Sequence, residues 1–160
     1  MLTPHEIHAL LAQRFGAAIA PWAQPEAGDP FIVLGAERLH EVCAFLKDEP
    51  ALGFDFLRLV SAVDWTDRFS SVYHLYSLTH NHEVTLRVDL DRAAPRAQSV
   101  ADLWPTADWH EREAFDLMGI VYEGHPQLTR ILLPDDWAGH PLRKDYEQPE
   151  QYHGIPNHAK

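Results

Sequence analysis

The sequence predicts an α+β fold, a two-layer domain with helices against one face of a mostly antiparallel sheet. Two observations carry this prediction: apolar residues recur at helical spacing in the first 50 positions, and at a spacing of two between Phe54 and Leu90. The expected element order is α-β-α-β-β-β-α, followed by an irregular carboxy-terminal extension. We expect an α/β globular domain at residues 1–119 and a mostly irregular, partner-docking extension at residues 120–160.

The first helix is predicted from its amino-terminal cap. Thr3 and Glu6 form a capping box with Pro4 at the first helical position, and Gly16 stands where the helix should end. The apolar positions of this helix are Ile7, Leu10, Leu11 and Phe15.

A strand and a second helix are expected next. A proline-rich connection, Pro21 to Pro30, leads to the apolar run at residues 31–34, which is expected to be a strand. The second helix should stop before Pro50. Its apolar face consists of Leu39, Val42, Cys43 and Leu46. We therefore expect Cys43 to be a buried small hydrophobe.

The spacing of two predicts three strands joined by tight turns at residues 66–68 and 79–82. The third strand should have one face on the core and one in water. The alternating positions are Leu57, Leu59, Val63 and Trp65 in the first strand, Val72, His74, Tyr76 and Leu78 in the second, and Val84, Leu86, Val88 and Leu90 in the third.

A third helix is expected after a polar connector at residues 91–99. Two caps fit its start, namely a capping box of Asp108 and Glu111, or Thr106. Gly119 is placed to end it.

Beyond the third helix, short extended pieces are expected around residues 120–122 and 130–133. The tail at residues 147–160 is polar and has no periodicity, so we expect it to be loose or ordered only against a partner.

The composition disfavours several function classes. The net charge of −11 opposes binding to nucleic acid and to anionic lipid, and no apolar run reaches the roughly 18 residues of a membrane span. The single cysteine excludes an internal disulfide and a self-contained iron–sulfur cluster. The chain contains no Gly-x-Gly, so direct binding of NADH or a flavin has no support.

The histidines raise the alternative of a metal site. The His-Asn-His string at residues 80–82 lies where a hairpin must reverse, so we interpret it as a turn. His125, Asp135, Asp136 and His140 offer imidazole and carboxylate ligands, which keeps a stand-alone metal-dependent hydrolase as an alternative. Both of these histidines precede proline, which favours stiff turns, and no metal ligand is assigned.

The charged residues of the third helix favour an interface over a catalytic site. Glu111 and Glu113 point about 200° apart on a helix, which excludes a carboxylate dyad. Arg112 and Asp116 stand four positions apart and can pair. Trp109 lies nearby, and aromatic residues with arginine are typical of interface cores.

Two stretches carry a resemblance to a known family. The first is residues 111–120 with Gly124-His125-Pro126 and Arg130-Ile131-Leu132, and the second is residues 137–146. Together they resemble the C subunit of proton-translocating NADH:quinone oxidoreductase (respiratory complex I), the 30-kDa-subunit family. The preceding α/β part is similar in layout to that family's amino-terminal domain. One departure is Thr129, where the family usually has a second arginine beside Arg130.

The resemblance implies a peripheral-arm subunit on the cytoplasmic side of the bacterial inner membrane, without a membrane span of its own. It implies no cofactor and no catalytic chemistry in this chain, because FMN and the iron–sulfur clusters lie in partner subunits. The implied partners are the D-type subunit of the quinone site and the B-type iron–sulfur subunit. The alternative is the equivalent subunit of a membrane-bound hydrogenase or an F420H2 dehydrogenase.

No catalytic, cofactor-binding or metal-binding residue is assigned. We expect one set of residues to order the carboxy-terminal segment or to contact the partner. They are Glu111, Arg112, Glu113, Asp116, His125, Arg130, Asp135, Asp136, His140, Arg143, Lys144 and Asp145.

Overall fold

The computed structural model describes residues 1–23, 25 and 28–157, and within these it has three α-helices and eight strands. The helices are α1 (Pro4–Phe15), α2 (Leu39–Asp48) and α3 (Pro105–Met118). The strands are β1 (Phe31–Leu34), β2 (Phe56–Asp64), β3 (Arg68–Ser77), β4 (His82–Asp91), β5 (Arg96–Gln98), β6 (Val121–Glu123), β7 (Gln151–Tyr152) and β8 (Ile155–Pro156). The predicted α+β class is confirmed. Parts of the predicted connection and of the tail, residues 24, 26–27 and 158–160, lie outside the described residues.

The main sheet has four strands in the order β1-β4-β3-β2. Strands β2, β3 and β4 form the predicted antiparallel meander, and β1 joins β4 in parallel, with Phe31 opposite Thr85. Asn81 has a φ of 52° in the turn between β3 and β4, a left-handed conformation that asparagine tolerates. His80 and Asn81 therefore lie in a turn, as predicted, whereas His82 is the first residue of β4 and is buried.

Helices α1 and α2 pack against this sheet. Their fully buried side chains are Ile7, Leu11, Leu39, Val42, Cys43 and Leu46. The predicted burial of Cys43 is confirmed, whereas Leu10 is 38% exposed and lies outside the core. Helix α1 begins with the predicted capping box of Thr3 and Glu6. No helix in the described ranges is long and apolar enough to cross a membrane.

Strand β2 does not keep the predicted alternation. A register shift lies between Leu57 and Leu59. Such a bulge adds one residue to the strand and changes which side chains face the core. Leu57 and Val60 are buried, while Trp65 is 46% exposed. The prediction that Leu57, Leu59, Val63 and Trp65 share one side is therefore wrong.

Strands β3 and β4 place alternate residues in the core. The predicted apolar positions of β4 are all buried, namely Val84, Leu86, Val88 and Leu90. On β3 the buried hydrophobic residues are Phe69, Tyr73 and Leu75. Because side chains alternate along a strand, the half-buried residues Val72, His74 and Tyr76 lie on the opposite face.

Strands β5 and β6 form a second, two-stranded parallel sheet. The polar connector expected at residues 91–99 therefore contains a strand. The sequence did not predict this strand, because its partner lies beyond α3 and leaves no local pattern. Ile120 and Tyr122 are 0% and 1% exposed, so the core continues past residue 119. The division into a domain and an extension at that residue stays a prediction.

Candidate partner-docking surface

Helix α3 positions most of the predicted site residues. Pro105 lies in its first turn, and Trp104 is the N-cap without a side-chain cap hydrogen bond. The proline ring fixes φ at a helical value, so the helix begins before the residues proposed as caps. Both predicted caps, Thr106 and the box of Asp108 and Glu111, are therefore wrong.

Asp116 is fully buried near the end of α3 and holds the segment that follows β6. One carboxylate oxygen accepts from the guanidinium of Arg130 (2.9 Å), and the other accepts three consecutive backbone N–H groups, those of Ile131, Leu132 and Leu133 (3.0, 2.8 and 2.9 Å). Burial raises the pKa of Asp116, but these four donors outweigh it and leave the pKa below its ordinary value. Because their amides bind this carboxylate, residues 131–133 form bends instead of the extended piece expected there.

Residues 140–143, here called the capping segment, close the carboxyl end of α3. The last carbonyl groups of a helix lack partners within the helix. Here they accept from His140 Nδ1 at Asp116 (2.8 Å), from the Leu142 amide at Leu117 (3.1 Å) and from Arg143 Nε at Met118 (2.6 Å). The positive Arg143 also stands at the negative end of the helix dipole. Gly119 ends α3 as predicted, with a φ of 71°.

Asp64 is a site residue that the sequence analysis missed. Its carboxylate accepts from the guanidinium of Arg92 (2.6 Å) and from the backbone N–H of Lys144 (2.8 Å). Arg92 also pairs with Asp145 (2.9 Å), so β2 holds the chain just after the capping segment. Burial raises the pKa of Asp64, but the hydrogen bonds from Arg92, Lys144 and Thr66 bring it to about 2.

Arg112 joins α3 to residues 129 and 130. Its guanidinium donates to the carbonyl and hydroxyl of Thr129 (3.2 and 3.3 Å) and to the carbonyl of Arg130 (3.2 Å). The pair of Arg112 with Asp116 that the helical spacing allows does not form, because Arg130 and three amides occupy that carboxylate. Thr129 thus supplies two acceptors to Arg112.

Glu111 is also 0% exposed. It accepts from the hydroxyl of Ser99 (2.5 Å) and from the backbone N–H of Val100 (2.8 Å). Burial, with a smaller effect from the nearby Asp102 and Asp108, raises the pKa of Glu111 to about 7, against the lowering effect of these two bonds.

The side chain of His125 is fully buried against the start of α3. Its Nδ1 accepts from the backbone N–H of Gln127 (3.0 Å), so Nε2 carries the proton and donates to the carbonyl of Asp108 (3.2 Å). The same nitrogen lies 4.0 Å from a carboxylate oxygen of Glu111.

The residues considered as metal ligands do not form one group. His125 meets the start of α3 and His140 its end, roughly 12 Å apart by the helical rise. Asp136 accepts instead from Tyr152 (2.8 Å) and His153 (2.7 Å) in the tail, and these bonds lower the pKa of Asp136. Within the part of the chain that the structure describes, no three His, Cys, Asp or Glu residues are placed to hold a metal ion.

Other predicted site residues remain exposed. Glu113, Asp135 and Lys144 reach solvent. Trp109 and Leu142 are apolar and 62% and 56% exposed. Trp109 and Glu113 lie one helical turn apart, and Glu113 and Leu142 line one small cavity. We call Trp109, Glu113 and Leu142 the α3 surface; exposed apolar groups beside charge are typical of protein interfaces.

Little in the sequence points to the missed Asp64. The predicted alternation through Leu57, Leu59 and Val63 would turn its side chain away from the core. The bulge in β2 instead places it in phase with Val60, so that a carboxyl faces the core. A buried carboxylate needs a donor. Its partners, however, come from residue 92 and from residue 144, and no local pattern identifies them.

The sequence matches the family described as "Respiratory-chain NADH dehydrogenase, 30 Kd subunit" over residues 32–152. The chain belongs to this family. The C subunit of NADH-quinone oxidoreductase from Chloroherpeton thalassium is 43% identical over 95% of this chain, which spans 65% of that relative's length. The same subunit from Chlorobium phaeobacteroides is 39% identical over 91% of this chain and 90% of its own.

Two solved structures share the fold of this 30-kDa family member. The trypsin-resistant fragment of Nqo5 has a TM-score of 0.64 and 34% identity, over 76% of this chain and 98% of the fragment. A chain of an archaeal membrane-bound sulfane sulfur reductase has a TM-score of 0.71, over 89% of this chain and 85% of its own. At 21% identity, the second likeness concerns the fold alone.

Proposed function

We propose that this chain is a peripheral-arm subunit of NADH:quinone oxidoreductase that scaffolds the quinone-reducing subunits and carries no cofactor itself. The main support is the extent of the family match, which covers the sheet, α3 and the capping segment together. In the proposed complex, electrons pass from NADH through FMN and iron–sulfur clusters of other subunits to quinone, and this transfer is coupled to proton translocation.

In this proposal, the chain contributes a rigid docking surface, and none of its residues transfers electrons or protons. The α3 surface and the exposed Lys144 and Asp135 contact the D-type subunit, with the B-type subunit beside it. The segments behind this surface are already fixed by Asp116 and Asp64. Less conformational entropy is then lost on association, and a rigid support keeps the neighbouring site in productive geometry.

The test is assembly in the native membrane. Arg143→Ala removes the bond to the Met118 carbonyl (2.6 Å), so we expect it to lower both the amount of assembled complex and the quinone reductase activity by the same factor. Both are measured after purification of the tagged wild-type and variant chains from solubilised membranes.

Arg96→Ala is the matched control. Among the described residues, the side chain of Arg96 pairs with Glu123 alone (3.2 Å), at an exposed site, so its removal should leave assembly unchanged. Normal assembly of Arg143→Ala with selective loss of turnover would argue for a direct catalytic role. Failure of the wild-type chain to co-purify with any respiratory subunit would refute the scaffold proposal.

The electron donor and the location are further parts of the proposal. We assign NADH as the donor and the cytoplasmic side of the membrane as the site of the chain. The alternative is the equivalent subunit of a membrane-bound hydrogenase or an F420H2 dehydrogenase. The likeness to a chain of the sulfane sulfur reductase complex shows that another respiratory complex uses the same fold. Comparing oxidation of NADH, hydrogen and F420H2 by membranes with and without this chain distinguishes them, and protease digestion of oriented vesicles tests the side.

A further inference from the structure

Glu111 is a buried acid without a cation beside it. Within the described residues, its hydrogen bonds come only from the Ser99 hydroxyl and the Val100 amide. The titratable groups that face it are Asp102 before α3, Asp108 on α3, His125 after β6, Tyr122 on β6, Tyr73 on β3 and Cys43 on α2. Apart from His125, these groups are acidic or neutral at pH 7.

His125 is held mainly by partners other than Glu111. Its Nδ1 accepts from Gln127, and its Nε2 donates to the Asp108 carbonyl (3.2 Å). The same Nε2 lies 3.3 Å from the Asp108 carboxylate and 4.0 Å from that of Glu111. A positive imidazole would carry a second proton on Nδ1, in the place of the lone pair that binds Gln127. An ion pair of Glu111 with His125 therefore requires the turn at residues 124–127 to give up this bond.

Two segments close over the carboxyl of Glu111. The segment 99–102 contributes the hydroxyl and amide that bind it, and the turn 124–127 contributes His125. An ionised carboxylate is costly at a buried site that lacks a cation, in agreement with a raised pKa of about 7. Either water or a positive His125 would relieve this cost, and both require one of the segments to move.

We propose that Glu111 is a proton-binding site whose proton controls how tightly the segments 99–102 and 124–127 close over α3. With the proton bound, the carboxyl donates its O–H to Ser99 and accepts from Val100, and no charge is buried. As the pH rises, the proton passes to water, the carboxylate remains, and the two segments loosen. This inference concerns the folded chain and does not depend on the proposed function.

The direct measurement is the titration of the Glu111 carboxyl carbon by 13C NMR in the full wild-type chain, assigned through bonds. The expected midpoint is about 7. Hydrogen exchange of the Val100 and Gln127 amides, corrected for intrinsic rates, should become about ten-fold faster between about pH 6 and about pH 8. A midpoint below about 5 would overturn the proposal, because it would mean an ordinary carboxyl.

Glu111→Gln should mimic the proton-bound form, because its amide can accept from Val100 and donate to Ser99. The exchange of both amides should then lose its pH dependence. Glu113→Gln makes the same change at an exposed position of the same helix and should keep the wild-type dependence. Equal pH dependence in Glu111→Gln and wild type would also overturn the proposal. If Glu111→Gln fails to fold, the wild-type carbon titration decides alone.

Discussion

Asp116 and Glu111 lie on the same helix and are both 0% exposed, yet their carboxyl groups differ in pKa. Asp116 receives the Arg130 guanidinium and three backbone N–H groups, and its pKa is lowered. Glu111 receives one hydroxyl and one amide, and its pKa is raised to about 7. On α3, the number and charge of the donors therefore decide the ionisation of a buried acid, and burial alone does not.

The comparison also separates the two halves of the helix. The carboxyl half is held by ionised groups, since Asp116 binds residues 130–133 and Arg143 caps the end. The amino half is closed by neutral donors around Glu111. We expect the first half to depend on ionisation for stability and the second to be most stable without it.

The largest effect should come from removing the charge of Asp116. In Asp116→Asn an amide N–H would face Arg130 or the backbone donors, so we expect the free energy of unfolding to fall by about 3 kcal/mol. Urea denaturation measures this. Asp135→Asn is the control, because Asp135 is exposed and should change stability by less than about 0.5 kcal/mol. Equal losses in both variants would contradict the assigned role of Asp116.

Glu111 should give the opposite pH dependence. Its folded pKa of about 7 lies above its ordinary value of 4.5, so the folded state binds the proton more tightly than the unfolded state does. The stabilisation is complete below about pH 4.5 and is lost as the pH rises to about 7, by on the order of 3 kcal/mol. Thermal unfolding of wild type and Glu111→Gln across this range should reveal the loss in wild type only.

Asp64 and Asp116 should act in the reverse direction at lower pH. Their folded pKa values are depressed, to about 2 for Asp64, so their stabilisation is present above the unfolded pKa and is lost on acidification. Acid unfolding of Asp116→Asn and of wild type checks this, since both chains keep Asp64. If the stability of both chains falls equally steeply in acid, Asp116 makes no such contribution.

A smaller effect is expected at the helix end. In Gly119→Ala the new Cβ would lie 2.5 Å from the Arg143 guanidinium, at a φ of 71°. We expect the free energy of unfolding, measured by urea denaturation, to fall by about 2 kcal/mol. One cause is the left-handed conformation, and the other is displacement of the capping segment. Gly124→Ala separates the two causes, because Gly124 has a φ of 85° and a Cβ added there would meet no atom within 4 Å. Similar losses would show that Arg143 yields without cost.

The smallest effect should come from the tail. In Tyr152→Phe the pKa of Asp136 should rise toward its ordinary value, since the Tyr152 hydroxyl is the largest cause of its lowering. NMR titration of Asp136 checks this. The thermal midpoint should stay unchanged, because the pair is exposed. A clear drop in the midpoint would mean that the tail hairpin supports the core.

Patterns within one element predicted much of the fold. The capping box of Thr3 and Glu6, the end of α3 at Gly119 and the burial of Cys43 all follow from neighbouring residues, and the structure contains each of them. The bulge between Leu57 and Leu59 was beyond such patterns, because it depends on how β2 pairs with β3.

Less of the candidate site could be predicted from the sequence. Asp116 and Arg112 do stand at pairing distance on a helix, but long-range donors from Arg130 and residues 131–133 compete for the carboxylate. Asp64 binds the Lys144 amide across 80 positions of the chain. The resemblance to the family allowed a set of charged residues to be proposed for this surface. Their partners could not be proposed, because tertiary packing selects those partners.

The capping of α3 has a consequence for biosynthesis. Arg143 follows the carbonyl that it binds, in Met118, by 25 positions. At a translation rate of roughly 5–20 residues per second, the ribosome needs about one to five seconds to add those residues. Each nascent chain therefore passes through an interval in which α3 has been synthesised but the arginine that binds its last carbonyl group has not.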